Sequence, residues 1–221
     1  MKSVLVIAPH ADDETLGCGG TLLRHKIEGD DIHWLLLTTM SVEAGYGPKQ
    51  ISSRREQIEM VAGAYGFKST SYLGYAPASL DRISHSDLVA AIGKTIETTE
   101  AAVIYTPHDG DIHSDHRIAA AAVQATSKWF RYPSVTTILS YETLSETDFS
   151  LAPRDRFAPN YFVDITNFLE KKIEIMKVYE SELDTHPFPR SETSIQALAQ
   201  LHGAKIGTIA AEAFCLLKHR V

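Results

Sequence analysis

Six consecutive residues, Pro9-His10-Ala11-Asp12-Asp13-Glu14, put one histidine and three acids directly after an apolar run, Val4-Leu5-Val6-Ile7-Ala8. Carboxylates packed this closely repel one another unless a positive charge sits among them. A divalent metal would answer that need. A second cluster, Asp111-Ile112-His113-Ser114-Asp115-His116, holds further imidazoles and carboxylates. Catalytic zinc commonly takes three protein ligands from His and carboxylate and keeps one position open for water. His10 and one of the two aspartates can come from the first segment, and one histidine from the second. The pKa of the water then falls towards ~7. A carboxylate left off the metal can take its proton as general base. The other histidine, when protonated, can stabilise an oxyanion or protonate a leaving amine. These roles together describe metal-assisted amide hydrolysis.

The elements that must position these residues alternate between strand and helix. Val4–Ala8 reads as a buried strand, followed by a helix over Thr15–Glu28 and a strand over Ile32–Thr38. Gly45–Lys49 reads as a loop. Ser52 or Ser53 caps a helix to about Tyr65, stopped by Gly66. A strand at Ser71–Leu73, a helix over Asp87–Thr98 capped by Ser84, and a strand at Ala102–Tyr105 follow. His116–Phe130 reads as an alanine-rich helix and Val135–Tyr141 as a strand. Ser145–Pro159 is polar and reads as a loop, before a strand at Tyr161–Asp164. Thr166 caps a helix over Asn167–Ser181, and after a Pro-rich turn Ser191 and Thr193 start a helix to about Ala204. The expected fold is α/β and Rossmann-like: a mainly parallel, doubly wound sheet flanked by helices, with residues 1–221 as one domain. Ligands bind such sheets beyond the carboxyl ends of the strands. Both clusters follow strands there, so two distant segments meet at one sheet edge.

Composition narrows the function classes. The formal net charge of −7 and the scattered basic residues argue against a nucleic-acid backbone as partner. No apolar run approaches the roughly 20 residues that span a bilayer, and Met1-Lys2-Ser3 leads straight into a strand, unlike a signal peptide. Two cysteines, Cys18 and Cys215, make no disulfide framework and fit a reducing cytoplasm. The expected partner is a small molecule, and a homo-oligomer is compatible with the chain.

The first cluster, continued by Thr15-Leu16-Gly17-Cys18-Gly19-Gly20-Thr21-Leu22, resembles the first motif of the PIG-L/LmbE-like zinc de-N-acetylases. His113-Ser114-Asp115-His116 resembles their second motif, and Ala211-Glu212-Ala213-Phe214 extends the resemblance almost to the end of the chain. The resemblance implies His10, Asp13 and His116 as ligands of Zn2+, with Fe2+ an alternative for such a donor set. It implies Asp12 as general base, His113 as electrophilic or acid partner, and Asp115 as the group that orients His113. Arg54 falls near a substrate-contacting arginine. The implied reaction is removal of the acetyl group from an N-acetylglucosamine-type sugar or its conjugate. Ala11 and Ser114 stand where the family usually has proline. Gly74-Tyr75-Ala76-Pro77-Ala78-Ser79-Leu80 lacks the acid that many members place there.

Other polar residues carry plainer readings. Asp109 and Asp111 read as turn residues, with Asp111 also able to support the site. His108 and His186 read as loop packing, and Cys18 as a small residue for close helix–sheet packing. Glu14 suits either the helix dipole or support of the site. Glu142 reads as a residue of the same sheet edge, and Glu212 as an internal hydrogen-bonding group. Two rivals use the glycines. A methyltransferase would set Leu16-Gly17-Cys18-Gly19-Gly20 directly after its strand, but eight residues, Pro9 to Leu16, intervene. A dinucleotide-binding loop would need Gly where Leu22 stands, and its phosphate would meet Asp12, Asp13 and Glu14. A non-catalytic sugar-binding module on this fold would have lost a ligand or the base, and here all are present.

Overall fold

The structure, a computed structural model, describes residues 1–152 and 156–221. Seven strands form one sheet: β1 Ser3–Ala8, β2 Asp31–Thr38, β3 Ser69–Tyr75, β4 Val103–Pro107, β5 Thr137–Tyr141, β6 Tyr161–Asp164 and β7 Ala211–His219. Their order is β3-β2-β1-β4-β5-β7-β6. The first five are parallel, and β7 runs antiparallel to both β5 and β6. The fold is thus a single α/β domain with a mixed, mainly parallel sheet.

β1 lies in the middle of the parallel part, with Val4 opposite Ile32 on one side and Val103 on the other. Its unbroken apolar run follows from this, because helices cover both of its faces. Val4, Val6 and Ala8 point into a core shared with α1 Asp13–Ile27, α2 Pro48–Tyr65, α5 Leu169–Met176 and α6 Glu192–Ile206. Leu5 and Ile7 point into the opposite core, against α3 His85–Thr99 and α4 Ser114–Ala125.

Several boundaries differ from expectation. α2 starts at Pro48, not after Ser52, because proline suits a first helical turn and the Gln50 side chain accepts the Gly47 N–H at 3.0 Å. Gly66 ends that helix in the left-handed conformation, as expected. Ser84 and Ser191 cap α3 and α6 through their side chains, also as expected. α4 stops at Ala125, five residues before Phe130, where Thr126 turns back onto Val123. α5 starts at Leu169, not beside Thr166, whose N–H and hydroxyl both donate to Asp164, and it ends at Met176, short of Ser181. Part of the expected Ser145–Pro159 loop, residues 153–155, lies outside the described residues. β7 follows the last element that the sequence pattern delimits.

α1 is bent at Cys18, whose φ of −146° and ψ of 21° are not helical. A Cβ on Gly17 would come within 2.2 Å of the Tyr141 ring, and one on Gly20 within 2.7 Å of Ile165. These glycines let the helix lie close on the sheet. The bend frees backbone N–H groups, and the Glu212 carboxylate accepts those of Gly20 and Thr21 at 2.9 and 2.7 Å. Lys172 Nζ neutralises Glu212 at 2.7 Å in a buried ion pair. Glu212 therefore serves internal hydrogen bonding, and Cys18 close packing.

Candidate active site

The end of β1 and the start of the loop that follows it are tied to neighbouring strands. Thr38 Oγ1 donates to Pro9 O at 2.7 Å, and Tyr141 Oη donates to Ile7 O at 2.9 Å. β4 ends at the same edge and leads through Asp111 to His113, the N-cap of α4. The two clusters therefore converge, as the strand order requires.

Three ligand-type groups meet closely. His10 Nδ1 lies 3.4 Å from Asp13 Oδ2, His116 Nε2 lies 3.2 Å from Asp13 Oδ1, and the two ring nitrogens are 3.4 Å apart. Tetrahedral zinc with bonds of about 2.0–2.1 Å separates its ligand atoms by about 3.3 Å. The donor set and spacing fit such an ion. His113 belongs to a second group with His10 and His116, each of which can offer one ring nitrogen, all within 4.8 Å of one another. Its Nδ1, however, accepts the Asp115 backbone N–H at 3.1 Å.

His10 and His116 each turn their other ring nitrogen to a buried carboxylate. His10 Nε2 meets Asp115 Oδ2 at 3.1 Å, and His116 Nδ1 meets Asp111 Oδ2 at 2.8 Å. Such partners fix the ring orientation and raise ligand basicity. This corrects the expectation for Asp115. Its carboxylate orients His10, not His113, and accepts N–H groups from Ala78 at 2.7 Å and Leu80 at 3.0 Å. Its hydrogen bond to His113 comes from the backbone N–H, because His113 caps the helix that Asp115 enters. Asp111 is more than a turn residue: it is fully buried and takes a second bond from Thr147 Oγ1 at 2.6 Å.

The charges reflect this geometry. Burial alone would lower His10, but Asp115 and Asp13 raise it to about 9. Burial alone would raise Asp13, yet His116 and His10 drive it far below the usual carboxylate range. The site thus favours a positive charge. Burial, then Asp13 and Glu182, push Asp12 upward, while Arg190 opposes them. Burial and the neighbouring His10 and His116 lower His113 to about 4, so the imidazole is neutral near pH 7. Burial raises Glu14 to about 7 despite bonds from Thr15 and Tyr179.

His10, Asp12, Asp13, His113 and His116 line a cavity of about 610 Å³, large enough for a sugar with a substituent. The segment after β2 reaches it through Met40 and Tyr46, the one after β3 through Pro77 and Ala78, and the one after β5 through Glu146. Arg54 lies in the wall, with Nη1 on Ala11 O at 2.7 Å and Nη2 on Ser181 and Glu182. Glu142 is held by His202. Sequence reasoning missed Arg190 and Glu182. Arg190 stands 3.5 Å from Asp12 Oδ2 and 3.4 Å from Glu182 Oε2. Only the Pro-rich turn before α6, which had to lead somewhere, hinted at that segment.

A sequence model for GlcNAc-PI de-N-acetylase, PIG-L, matches residues 5–127. A diacetylchitobiose deacetylase of Thermococcus kodakarensis is 27% identical, over 94% of this chain and 80% of its own. Among solved structures, a conserved protein of Thermus thermophilus superposes with a TM-score of 0.79 at 24% identity, covering 100% of this chain and 97% of its own. The 4-carboxy-2-hydroxymuconate hydratase of Pseudomonas putida superposes with a TM-score of 0.76 at 17% identity, covering 100% and 98%. Such structural likenesses show the fold, and one fold hosts more than one reaction.

Proposed function

Because the chain belongs to the PIG-L family of de-N-acetylases, we propose that it hydrolyses the acetamide of an N-acetylated amino sugar, of N-acetylglucosamine type, or of its conjugate. The observation that carries this reading is the convergence of His10 Nδ1, Asp13 and His116 Nε2 at 3.2–3.4 Å, with Asp12 in the same cavity wall. We assign His10, Asp13 and His116 as ligands of Zn2+, with Fe2+ as the alternative that this donor set also accepts. The ion, when bound, would polarise the acetyl carbonyl and lower the pKa of the attacking water.

The chain's own residues do the rest. Asp12, which lies 3.5 Å from Arg190, accepts the proton of the attacking water. The Asp115 N–H occupies His113 Nδ1, so the neutral ring carries its hydrogen on Nε2. That N–H is a donor for the oxygen that gains charge as water adds. Of the two roles the sequence left open for His113, the neutral ring supports oxyanion stabilisation. Asp115 and Asp111 hold the two ligand rings. The substrate is a small molecule. No described helix is long and apolar enough to cross a membrane. Free Cys18 and Cys215 support a cytoplasmic setting.

The test is acetate release from a panel of N-acetylglucosamine derivatives by the zinc-loaded protein. Asp12→Asn should lower kcat by about 10²–10⁴-fold, and His113→Ala by about 10²–10³-fold, with metal content unchanged in both. Equal rates in wild type and both variants would sink the roles. A metal-loaded wild type that releases no acetate from any member of the panel would sink the reaction.

A further inference from the structure

Asp12 and Asp13 are neighbours in sequence, yet their carboxylates go to different places. Asp13 reaches both His10 and His116, whereas Asp12 faces Arg190. The chain achieves this by holding Asp12 at φ 148°, ψ −27°. Residues with a Cβ rarely adopt positive φ, and such a conformation persists only where the surroundings enforce it.

The enforcing groups can be named. The peptide unit joining Ala11 to Asp12 is gripped at both ends. Arg54 Nη1 donates to Ala11 O at 2.7 Å, and the Asp12 N–H donates to Glu14 Oε2 at 3.1 Å. Neither grip is loose. Arg54 is buried, its Nη2 bonds Ser181 and Glu182, and its guanidinium lies 5.4 Å from the centre of the Tyr179 ring. Glu14 is fully buried, and its Oε1 accepts from Thr15 Oγ1 at 2.6 Å and Tyr179 Oη at 3.0 Å. Tyr179 thus braces both arms, one through its ring and one through its hydroxyl.

We infer that Arg54 and Glu14 form a peptide clamp that sets the Asp12 backbone and so aims its carboxylate at the reacting water. Arg54 is accordingly a positioning residue rather than the substrate contact suggested by the resemblance, since both of its terminal nitrogens are engaged within the protein. The kinetic part of this inference rests on the de-N-acetylase reading. The structural part does not.

The experiment uses the full chain, zinc-loaded, as wild type, Arg54→Ala, Arg54→Lys and Glu14→Gln. With the peptide free to turn, Arg54→Ala should lower kcat by about 100-fold, leave KM within about twofold and leave the bound zinc unchanged. Added guanidinium should restore part of kcat. Glu14→Gln, which keeps an oxygen for the Asp12 N–H, should retain most activity, and Arg54→Lys should fall between. A raised KM at unchanged kcat in Arg54→Ala would make Arg54 a substrate contact and overturn the clamp, as would loss of zinc. Crystallography of Arg54→Ala decides the structural part without substrate: Asp12 should relax to negative φ, and a retained positive φ would overturn the clamp. A wild type that releases no acetate refutes the de-N-acetylase reading, while the crystallographic result still decides the clamp.

Discussion

The carboxylates behind His10 and His116 show how residue identity becomes function. A histidine can bind a metal through either nitrogen, and the choice is made by what holds the other one. Asp115 and Asp111 make that choice here, at 3.1 and 2.8 Å. Asp111→Ala leaves His116 Nδ1 without its acceptor and should weaken metal affinity by about 10–100-fold. Competition with a chromophoric chelator measures this directly, and unchanged affinity would return Asp111 to a turn role. That His10, Asp13 and His116 would meet at one sheet edge was legible in sequence, because both segments follow strands of one parallel sheet. The pairing of each carboxylate with its ring was not. Asp115 lies two residues from His113 and 105 from His10, yet its carboxylate bonds the distant one. Arg190 and Glu182 had no signal beyond the neighbouring Pro-rich turn, because an isolated arginine or glutamate reads as a solvated surface residue.

At the scale of elements, the bend in α1 links sheet packing to the site. The first turn of this helix carries Asp13 and Glu14, and the part beyond Cys18 is held by Glu212 from β7. Glu212→Gln would leave Lys172 buried with no anion, and removing one partner of a buried pair costs about 3–5 kcal/mol. Denaturant unfolding should show a loss of that size. A double variant, Lys172→Met with Glu212→Gln, should recover part of it, because no unpaired charge then remains. A double variant as unstable as the single one would show that the Glu212 bonds to Gly20 and Thr21, not the charge pair, hold the bend. Capping residues made α3 and α6 readable, since Ser84 and Ser191 act within a few residues of themselves. The ends of α4 and α5 were less readable, because Thr126 and Asp164 compete locally for the groups that would have continued or begun those helices.

In the whole molecule, the proposed metal site joins the loop after β1 to the start of α4, about a hundred residues apart in the chain. An ion bound there stabilises the folded state in proportion to the logarithm of its concentration over Kd. Chelation should lower Tm, and added zinc should restore it. The pH dependence has a definite sign. Without metal, His10 is raised from 6.5 to about 9 by Asp115 and Asp13, which outweigh its burial. A raised pKa contributes stability that is complete below the unfolded value and is lost as pH rises through the folded one. The chelated protein should therefore lose stability between about pH 6.5 and about pH 9, and the zinc-loaded protein should not. Parallel Tm series across that range check both statements. By itself the sequence determined the alternating α/β plan, the buried β1 and the acid-rich loop at its end, because periodicity, capping and motif spacing act over a few residues. Only the tertiary structure decided which carboxylate orients which ring, that Arg54 grips Ala11 O, and that Arg190 stands beside Asp12. Those contacts join residues that share a site only after the sheet has brought their strands and loops to one edge.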